Sequence, residues 1–204
     1  MRGLYAIVDP EHSSCRDPRW VAAEILRGGC AALQLRAKHM PDGARLTLAR
    51  DLKVLCREAG VPFWLNDRLD LALLAEADGL HLGQDDIRTA DARALWGARP
   101  IGRSTHSLAQ ARAAVAEGAD VIGFGPVFDT QSKRNPDPQV GMPGVREVCA
   151  ELRVPVIAIG GIKLSHLPEL KRAGAACCAV ISALCSVDDP CAAARDFTRA
   201  FAAD

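Results

Sequence analysis

The sequence predicts a (β/α)₈ barrel of near-minimal size, formed by a single domain over residues 1–204. Eight short, almost wholly apolar runs recur along the chain, which is typical of parallel strands covered on both faces. Amphipathic helical patterns separate these runs, and polar residues follow them. Eight alternations favour closure into a barrel, which needs at least about 200 residues. A doubly wound open sheet is the alternative.

The apolar runs predict strands at residues 4–8, 31–35, 62–65, 79–82, 100–104, 120–125, 155–160 and 177–182. Helical stripes lie between them, and an amphipathic helix through Phe197 and Phe201 closes the chain. Similar short segments recur where helices lead into strands. We expect their glycines, at positions 29, 79, 118 and 174, to end helices in the left-handed conformation.

Composition narrows the class of protein. The chain has 25 basic and 25 acidic residues, and this balance argues against a nucleic-acid-binding protein. No apolar stretch is long enough to span a bilayer, and the start of the sequence lacks signal-peptide features, so we expect a cytoplasmic protein. None of the eight cysteines forms a Cys-x-x-Cys pair. We therefore expect small buried hydrophobic residues, with a catalytic thiol as the weaker alternative.

Polar residues follow the predicted strands at the point where each strand ends. Because the carboxyl ends of parallel barrel strands share one face, we expect one convergent site there. The groups, in chain order, are Gln34-Leu35-Arg36-Ala37-Lys38, Asn66-Asp67-Arg68, His81-Leu82-Gly83-Gln84-Asp85-Asp86, Gly102-Arg103-Ser104-Thr105-His106, Gly125 to Thr130, Gly160-Gly161-Ile162 and Ile181-Ser182.

Two features of this face predict bound anions and a metal. Gly160-Gly161 and Ser182 follow the seventh and eighth strands, where barrels often bind phosphate; a simple tight turn is the alternative for the glycines. Asp67 and Asp86 follow neighbouring strands, and two close carboxylates favour a magnesium ion. The alternative is that an aspartate caps the next helix, which we prefer for Asp85.

Cations on the same face predict a diphosphate site. Arg36, Lys38 and Lys133, with nearby hydroxyl groups, suit a diphosphate. For any one of them alone a solvated charged loop is the better interpretation, so the prediction depends on their convergence. The amides of Gln34 and Asn66 suit recognition of a heterocycle.

Three further features complete this face. The Gly- and Pro-rich segment 125–143 is interpreted as a lid. His81 is expected in the core or behind the site. His106 is expected at the rim, either binding substrate or starting a helix.

Taken together, these motifs resemble the thiamine phosphate synthase (thiamine-phosphate pyrophosphorylase) family over nearly the whole chain. The resemblance lies in seven motifs in family order, from Gln34-Leu35-Arg36-Ala37-Lys38 to Val180-Ile181-Ser182. One departure is Ala37, where the family usually has glutamate. The resemblance implies an enzyme that joins 4-amino-2-methyl-5-pyrimidinylmethyl diphosphate to 4-methyl-5-hydroxyethylthiazole phosphate and releases diphosphate through a carbocation.

The resemblance also implies residue roles. Arg36, Lys38, Lys133 and Ser104 would be catalytic, and Asp67 and Asp86 would bind Mg²⁺. The substrate-binding set would be Gln34, Arg36, Lys38, Asn66, Ser104, Thr130, Ser132, Lys133, Gly161, Ile181 and Ser182, of which Thr130, Ser132, Gly161, Ile181 and Ser182 hold the thiazole phosphate.

Three other functions are weighed against this one. A thiazole tautomerase of the same pathway shares the barrel but has no need of Lys38, Asp67 and Asp86. A barrel that binds thiamine precursors without turnover is the second. A sugar-phosphate epimerase, the third, would lack the Gln-x-Arg-x-Lys pattern. Partners are expected to be small molecules, with no nucleic acid and no membrane, and a homo-oligomer is left open.

Overall fold

The computed structural model describes residues 1–130 and 137–202 and contains a closed barrel of parallel strands. The strands follow one another around the barrel in chain order, and β8 pairs with β1. They are β1 (Gly3–Val8), β2 (Ala32–Leu35), β3 (Phe63–Asn66), β4 (Gly79–Leu82), β5 (Ile101–Thr105), β6 (Val121–Phe124), β7 (Val156–Ile159) and β8 (Cys177–Val180).

In the described residues, the first seven helices connect consecutive strands, and the last two follow β8. They are α1 (Pro18–Gly28), α2 (Asp42–Glu58), α3 (Leu69–Leu74), α4 (Thr89–Trp96), α5 (Leu108–Ala116), α6 (Gly141–Glu151), α7 (Leu167–Arg172), α8 (Ser182–Cys185) and α9 (Pro190–Ala202), with 3₁₀ turns at Pro10–His12 and Leu164–His166. The predicted (β/α)₈ barrel is therefore confirmed. Each apolar run corresponds to one strand, and predicted bounds differ from observed ones by at most two residues.

The core has two layers, which the alternation of side chains along each strand separates. Leu4, Ala6 and Val8 of β1 pack outward beneath the helices, whereas Tyr5 and Ile7 point into the barrel. Inside, the rings of Tyr5 and Trp64 meet edge to face, with centroids 5.8 Å apart. The interior is thus filled by side chains up to the carboxyl end.

The expected role of Gly79 as a helix stop is wrong. Gly79 lies within β4, and a Cβ atom there would sit 2.2 Å from the Trp64 ring, so packing explains this glycine. Glu76 instead takes the left-handed conformation after α3, with φ of 51°. Gly118 and Gly174 do have positive φ of 93°, while Gly29 combines φ of 96° with extended ψ.

All eight cysteines lie in the described part of the chain and are free thiols. Burial raises the pKa of Cys177 to about 11 and that of Cys178 and Cys185 to about 12. Such thiols stay protonated at neutral pH and are poor nucleophiles. The buried cysteines are therefore packing residues, as the sequence predicts, whereas Cys15 is exposed and the expectation is wrong for it.

Among the described helices, none combines the length and the apolar character that crossing a membrane requires.

Candidate active site

A cavity of about 830 Å³ opens at the carboxyl ends of the strands, and each of the eight strands contributes a lining residue. This volume lies within the range of small-molecule sites. It is also the face on which barrel enzymes carry their active sites. The geometry therefore points to small-molecule chemistry in the mouth of the barrel.

The cavity brings the predicted site residues together. Those that line it are Gln34, Arg36, Lys38, Asn66, Asp67, Asp86, Ser104, Thr130, Gly161, Ile181 and Ser182. Ser132 and Lys133 lie outside the described residues. Within residues 1–130 and 137–202, the convergence therefore holds for each expected catalytic, substrate-binding and metal-binding residue. Arg68 and Arg103, which belong to the same polar groups, do not line the cavity.

The two predicted metal ligands are close to each other. A Cβ atom placed on Gly83 would lie 3.1 Å from Oδ2 of Asp86 and 3.9 Å from Oδ1 of Asp67. Asp67 has φ of 65°, which aspartate tolerates better than most residues, and Nζ of Lys38 lies 3.2 Å from its Oδ2. The loop after β3 thus directs Asp67 towards Asp86 rather than along a helix.

The electrostatics of this pair suit a bound cation. Burial, followed by the hydrogen bond with Asp67 and the charge of Asp67, raises the pKa of Asp86 above its usual value. The N–H of Gly83, which donates to Oδ2 of Asp86 at 2.6 Å, and Lys38 oppose this rise. A divalent cation would remove the repulsion, and Mg²⁺ is commonly held by one or two carboxylates plus water and phosphate. The residues present therefore fit magnesium.

A group of three potential metal ligands also occurs in the described part of the chain, at Glu24, Asp189 and Cys191. None of these residues lines the cavity. We assign no function to this group of residues, since acidic groups at surfaces are common without a metal.

Arg36 is held by a carboxylate that the sequence analysis did not single out. Asp9 directly follows β1 and is completely buried, and its Oδ2 accepts a hydrogen bond from Nη1 of Arg36. Its other oxygen accepts the N–H of Glu11 at 3.0 Å. The signal was available, because Asp9 follows an apolar run as the other site residues do.

A chain of amides crosses the floor of the cavity. The Tyr5 hydroxyl donates to Oε1 of Gln34 at 2.9 Å, and Nε2 of Gln34 donates to Oδ1 of Asn66 at 3.3 Å. Burial raises the pKa of Tyr5 well above its usual value, so its hydroxyl remains a donor. This chain orients both amides. Because Oδ1 of Asn66 accepts from Gln34, the amide nitrogen of Asn66 is the group that suits donation to a ligand.

The glycine pair after β7 packs backbone against backbone. A Cβ atom on Gly161 would lie 2.1 Å from the carbonyl oxygen of Asp129, and one on Gly160 would lie 2.6 Å from Pro126. Both glycines also have positive φ, which is 102° at Gly160 and 62° at Gly161. The tight-turn interpretation is therefore confirmed. The same glycines line the cavity, and their binding of a ligand stays a prediction.

The two histidines differ in their surroundings. His81 is buried, and its Nε2 lies 3.0 Å from the Ser104 hydroxyl, so it lies behind that residue as expected. His106 lies at the rim, where Nδ1 contacts the carbonyl oxygen of Gly125 and Nε2 lies 3.2 Å from Asp137. The N-cap of α5 is Ser107, whose side chain accepts the N–H of Gln110. His106 therefore does not cap the start of this helix.

The expected cap at Asp85 is wrong. Arg88 occupies the N-cap position of α4, and no side chain caps that end. Asp85 is exposed and lines the cavity instead. Two residues separate Asp85 from the cap position, because the loop after β4 is longer than a direct strand-to-helix turn.

These features define a class: a (β/α)₈ barrel with a pocket of cations, carboxylates and glycines at the carboxyl ends of its strands. The model of the family "Thiamine monophosphate synthase" matches residues 4–184. The chain belongs to this family.

Relatives with this family's name are similar to the chain over most of its length. The chain is 46% identical over 202 residues to a thiamine-phosphate synthase of Anaeromyxobacter dehalogenans, covering 98% of this chain and 88% of that one. It is 48% identical over 171 residues to that of a Synechococcus species, covering 83% of this chain but 48% of the longer protein. The chain thus spans about half the length of some relatives that it matches.

A solved structure also agrees. A thiamine phosphate pyrophosphorylase from Pyrococcus furiosus superposes with a TM-score of 0.90 at 32% identity, covering 98% of this chain and 95% of that one. A 3-hexulose-6-phosphate synthase, at 17% identity and a TM-score of 0.72, shares the fold alone.

Proposed function

We propose that this protein is a thiamine-phosphate synthase. It would join 4-amino-2-methyl-5-pyrimidinylmethyl diphosphate to 4-methyl-5-hydroxyethylthiazole phosphate, giving thiamine phosphate and diphosphate. The observation that carries the proposal is the cluster of Lys38, Asp67 and Asp86 at one wall of the cavity. A thiazole tautomerase has no need of this cluster, and a sugar-phosphate epimerase would lack the Gln-x-Arg-x-Lys pattern of Gln34, Arg36 and Lys38.

The proposed reaction needs charge stabilisation rather than a nucleophile. The bond between the pyrimidinylmethyl carbon and the diphosphate oxygen breaks, and diphosphate leaves with the electron pair. The 4-amino group stabilises the resulting carbocation. The lone pair of the thiazole nitrogen then forms the new carbon–nitrogen bond, and no proton has to move.

The chain's own residues supply the positioning. Arg36, fixed by Asp9, and Lys38 face the diphosphate and stabilise its growing charge. Lys133 and Ser104 complete this site, and Gln34 and Asn66 orient the pyrimidine. Asp67 and Asp86 are the proposed ligands of Mg²⁺, which supplies further charge neutralisation at the diphosphate.

The opposite wall would hold the second substrate. Thr130, Gly161, Ile181 and Ser182 line it, and we propose that they, with Ser132, bind the thiazole phosphate. Close approach of the phosphate to the backbone is possible at Gly161, which has no side chain. Binding both substrates in one cavity places the thiazole nitrogen beside the carbocation.

We further propose that residues 1–204 act as one domain, because β1 and β8 close a single barrel. The proposed substrates are small charged molecules, so we propose a cytoplasmic enzyme with small-molecule partners, no nucleic acid and no membrane. A homo-oligomer is compatible with this activity.

The test is diphosphate release by the purified protein with both substrates, in magnesium or in EDTA. We expect release only when both substrates and magnesium are present, and a loss of about 100-fold or more in Asp67→Asn. Asp42→Asn, which changes an exposed carboxylate paired with Arg68, is the matched control.

Two outcomes would contradict the proposal. Full activity of Asp67→Asn in magnesium would remove the metal assignment. No release under any condition, with thiazole phosphate still bound, would favour a tautomerase or a binder without turnover.

A further inference from the structure

We propose that Arg103 is a positioning residue that fixes the loop carrying Asp86 and thereby sets the metal site. The inference rests on the proposed function, in which Asp86 binds the metal. Arg103 itself does not line the cavity. Its role would be exerted through the backbone of residues 83–88.

Arg103 lies in β5 with its side chain on the outer side of the barrel. Its neighbours Gly102 and Ser104 face inward: a Cβ atom on Gly102 would meet the His81 ring at 2.4 Å, and the Ser104 hydroxyl lies 3.0 Å from Nε2 of the same ring. Alternation along the strand places Arg103 on the opposite side. It is only 7% exposed, so a full positive charge is buried between sheet and helices.

The guanidinium binds the two backbone carbonyls that flank Asp86. Nη1 donates to the carbonyl oxygen of Ile87 at 2.8 Å, and Nη2 donates to that of Gln84 at 3.3 Å. These residues immediately bracket Asp85 and Asp86 in the loop. The planar guanidinium of arginine can donate to two fixed acceptors at once, whereas the single ammonium group of lysine is less suited to this.

A second contact holds the same loop from β5. Nε2 of Gln84 donates to the carbonyl oxygen of Ser104 at 2.6 Å. The loop is therefore tied to consecutive β5 residues, by a side chain of the strand and by a side chain of its own. Within the loop, the N–H of Gly83 binds the Asp86 carboxylate at 2.6 Å.

Burying the charge of Arg103 is costly. We call its hydrogen bonds to the carbonyls of Gln84 and Ile87 the clamp, and this cost argues that the clamp has a role beyond stability. Among the described residues, Arg103 forms no ion pair, so its charge is compensated by carbonyl dipoles. An apolar side chain in such a place is often as stabilising as a buried charge, or more so. What the guanidinium adds is a fixed separation of the two carbonyls on either side of Asp86.

This fixed loop matters because Asp86 is held against a like charge. Without the clamp, the loop would relax so as to separate Asp86 from Asp67. The two carboxylates would then no longer present oxygens to the same ion. Partners that orient metal ligands commonly change metal affinity 10- to 100-fold when removed.

The test is titration of the full-length protein with Mn²⁺ in the presence of inorganic diphosphate, following free Mn²⁺ by electron paramagnetic resonance. The variants are Arg103→Met and Arg103→Lys. We expect the apparent dissociation constant to rise at least 10-fold in Arg103→Met and by a smaller factor in Arg103→Lys. Arg103→Lys keeps the charge and one donor group, so it serves where Arg103→Met fails to fold.

Arg93→Met is the matched control. Nη1 of Arg93 donates to the carbonyl oxygens of Gly97 and Arg99 at 2.8 and 2.6 Å, and Nη2 donates to that of Gly118 at 2.8 Å, before β5 and β6 begin. It thus binds backbone carbonyls at the other end of the barrel, as Arg103 does here, and it also pairs with the carboxylate of Asp120. We expect Arg93→Met to lower the melting temperature as Arg103→Met does, while Mn²⁺ affinity stays within twofold of the unchanged protein.

Equal Mn²⁺ affinity in the Arg103 variants and the unchanged protein would overturn the inference. Equal losses in Arg93→Met and Arg103→Met would overturn it too, because they would reflect general destabilisation. Failure of the proposed function is distinguishable: in that case the unchanged protein and Asp86→Asn would bind Mn²⁺ equally, before any arginine is altered.

Discussion

Asp86 occupies a position that disfavours its own charge. It is partly buried beside Asp67, and only the N–H of Gly83 and Lys38 offset the effect on its pKa. Sites that gather like charges for a ligand commonly reduce the stability of the unliganded protein. Stability and activity should therefore respond in opposite directions when this carboxylate is neutralised.

Asp86→Asn is predicted to raise the melting temperature without magnesium at neutral pH and to lower diphosphate release by about 100-fold or more. Folding raises the pKa of Asp86, so the native state binds more protons and stability falls as pH rises from the ordinary aspartate pKa through the raised one. The gain in Asp86→Asn should be full above that window and vanish below pH of about 4. Thermal unfolding in EDTA from pH 4 to pH 8 measures it.

The neighbouring Asp85→Asn is the control, because Asp85 is exposed and has no carboxylate partner in the structure described here. Its melting temperature should stay close to that of the unchanged protein throughout. A lower melting temperature for Asp86→Asn at neutral pH would show that the Asp67–Asp86 repulsion is absent.

At the residue scale, the sequence predicted the placement of Asp67 and Asp86 correctly, because each follows a strand and parallel strands bring such residues together. Their binding of a metal stays a prediction. Arg103 was expected on the same face, and this is wrong, because it lies inside β5 with its side chain on the outer side of the barrel. The sequence does not reveal which loop carbonyls that side chain meets. Asp85 was misplaced because the length of the loop before α4 is not encoded in the apolar pattern.

At the scale of elements, two aspartates that each precede a strand make the same contact, accepting a backbone N–H of the neighbouring strand. Asp78 precedes β4 and accepts the N–H of Phe63 at 2.8 Å, and Asp120 precedes β6 and accepts the N–H of Ile101 at 2.8 Å. Each therefore binds the first residue of the preceding strand. Lys53 from α2 and Arg93 from α4 reach the same two carboxylates.

The sequence contained this repeat, but the shared residue was misidentified. The segments that end in Asp78-Gly79 and in Asp120 were noticed for their glycines, which are common helix stops. Their common structural feature is the aspartate, whose acceptor role depends on a strand about 15–20 residues earlier in the chain. Local periodicity carries no information on such a pairing, whereas it sufficed for the strands themselves.

Asp120→Ala is predicted to destabilise the fold by about 1–3 kcal/mol, because the buried N–H of Ile101 loses its acceptor. Urea unfolding would measure this change. Asp51→Ala removes an exposed ion pair with Arg19 and should change the free energy of unfolding by less than about 0.5 kcal/mol. Equal effects of the two changes would assign Asp120 a surface role only.

At the scale of the whole molecule, closure of the barrel brings the two ends of the chain together. β1 pairs with β2 on one side and with β8 on the other, and α9 packs against α1. The buried Phe197 and Phe201 of α9 belong to the same outer core as Leu4 and Val8. The sequence predicted this last amphipathic helix, but not the close contact it makes with α1.

That contact depends on Gly28, the last residue of α1. A Cβ atom there would lie 2.3 Å from the carbonyl oxygen of Cys191 and 2.8 Å from Cβ of Ala194, both in α9. Gly28→Ala would force the two helices apart, and overpacking of this kind costs about 1–3 kcal/mol. We therefore predict a lower urea midpoint for Gly28→Ala, because the added methyl group would strain the contact between α1 and α9.

Gly43→Ala provides the opposite case in the same fold. Gly43 lies in α2, and nothing in the described residues comes within 4 Å of a Cβ atom there, so alanine should stabilise the helix by up to about 1 kcal/mol. Neither glycine lines the cavity, so diphosphate release by the folded fraction should be unchanged in both variants. A Gly28→Ala protein as stable as Gly43→Ala would mean that α9 moves freely against α1. Closure would then rest on the β1–β8 pairing rather than on the helices.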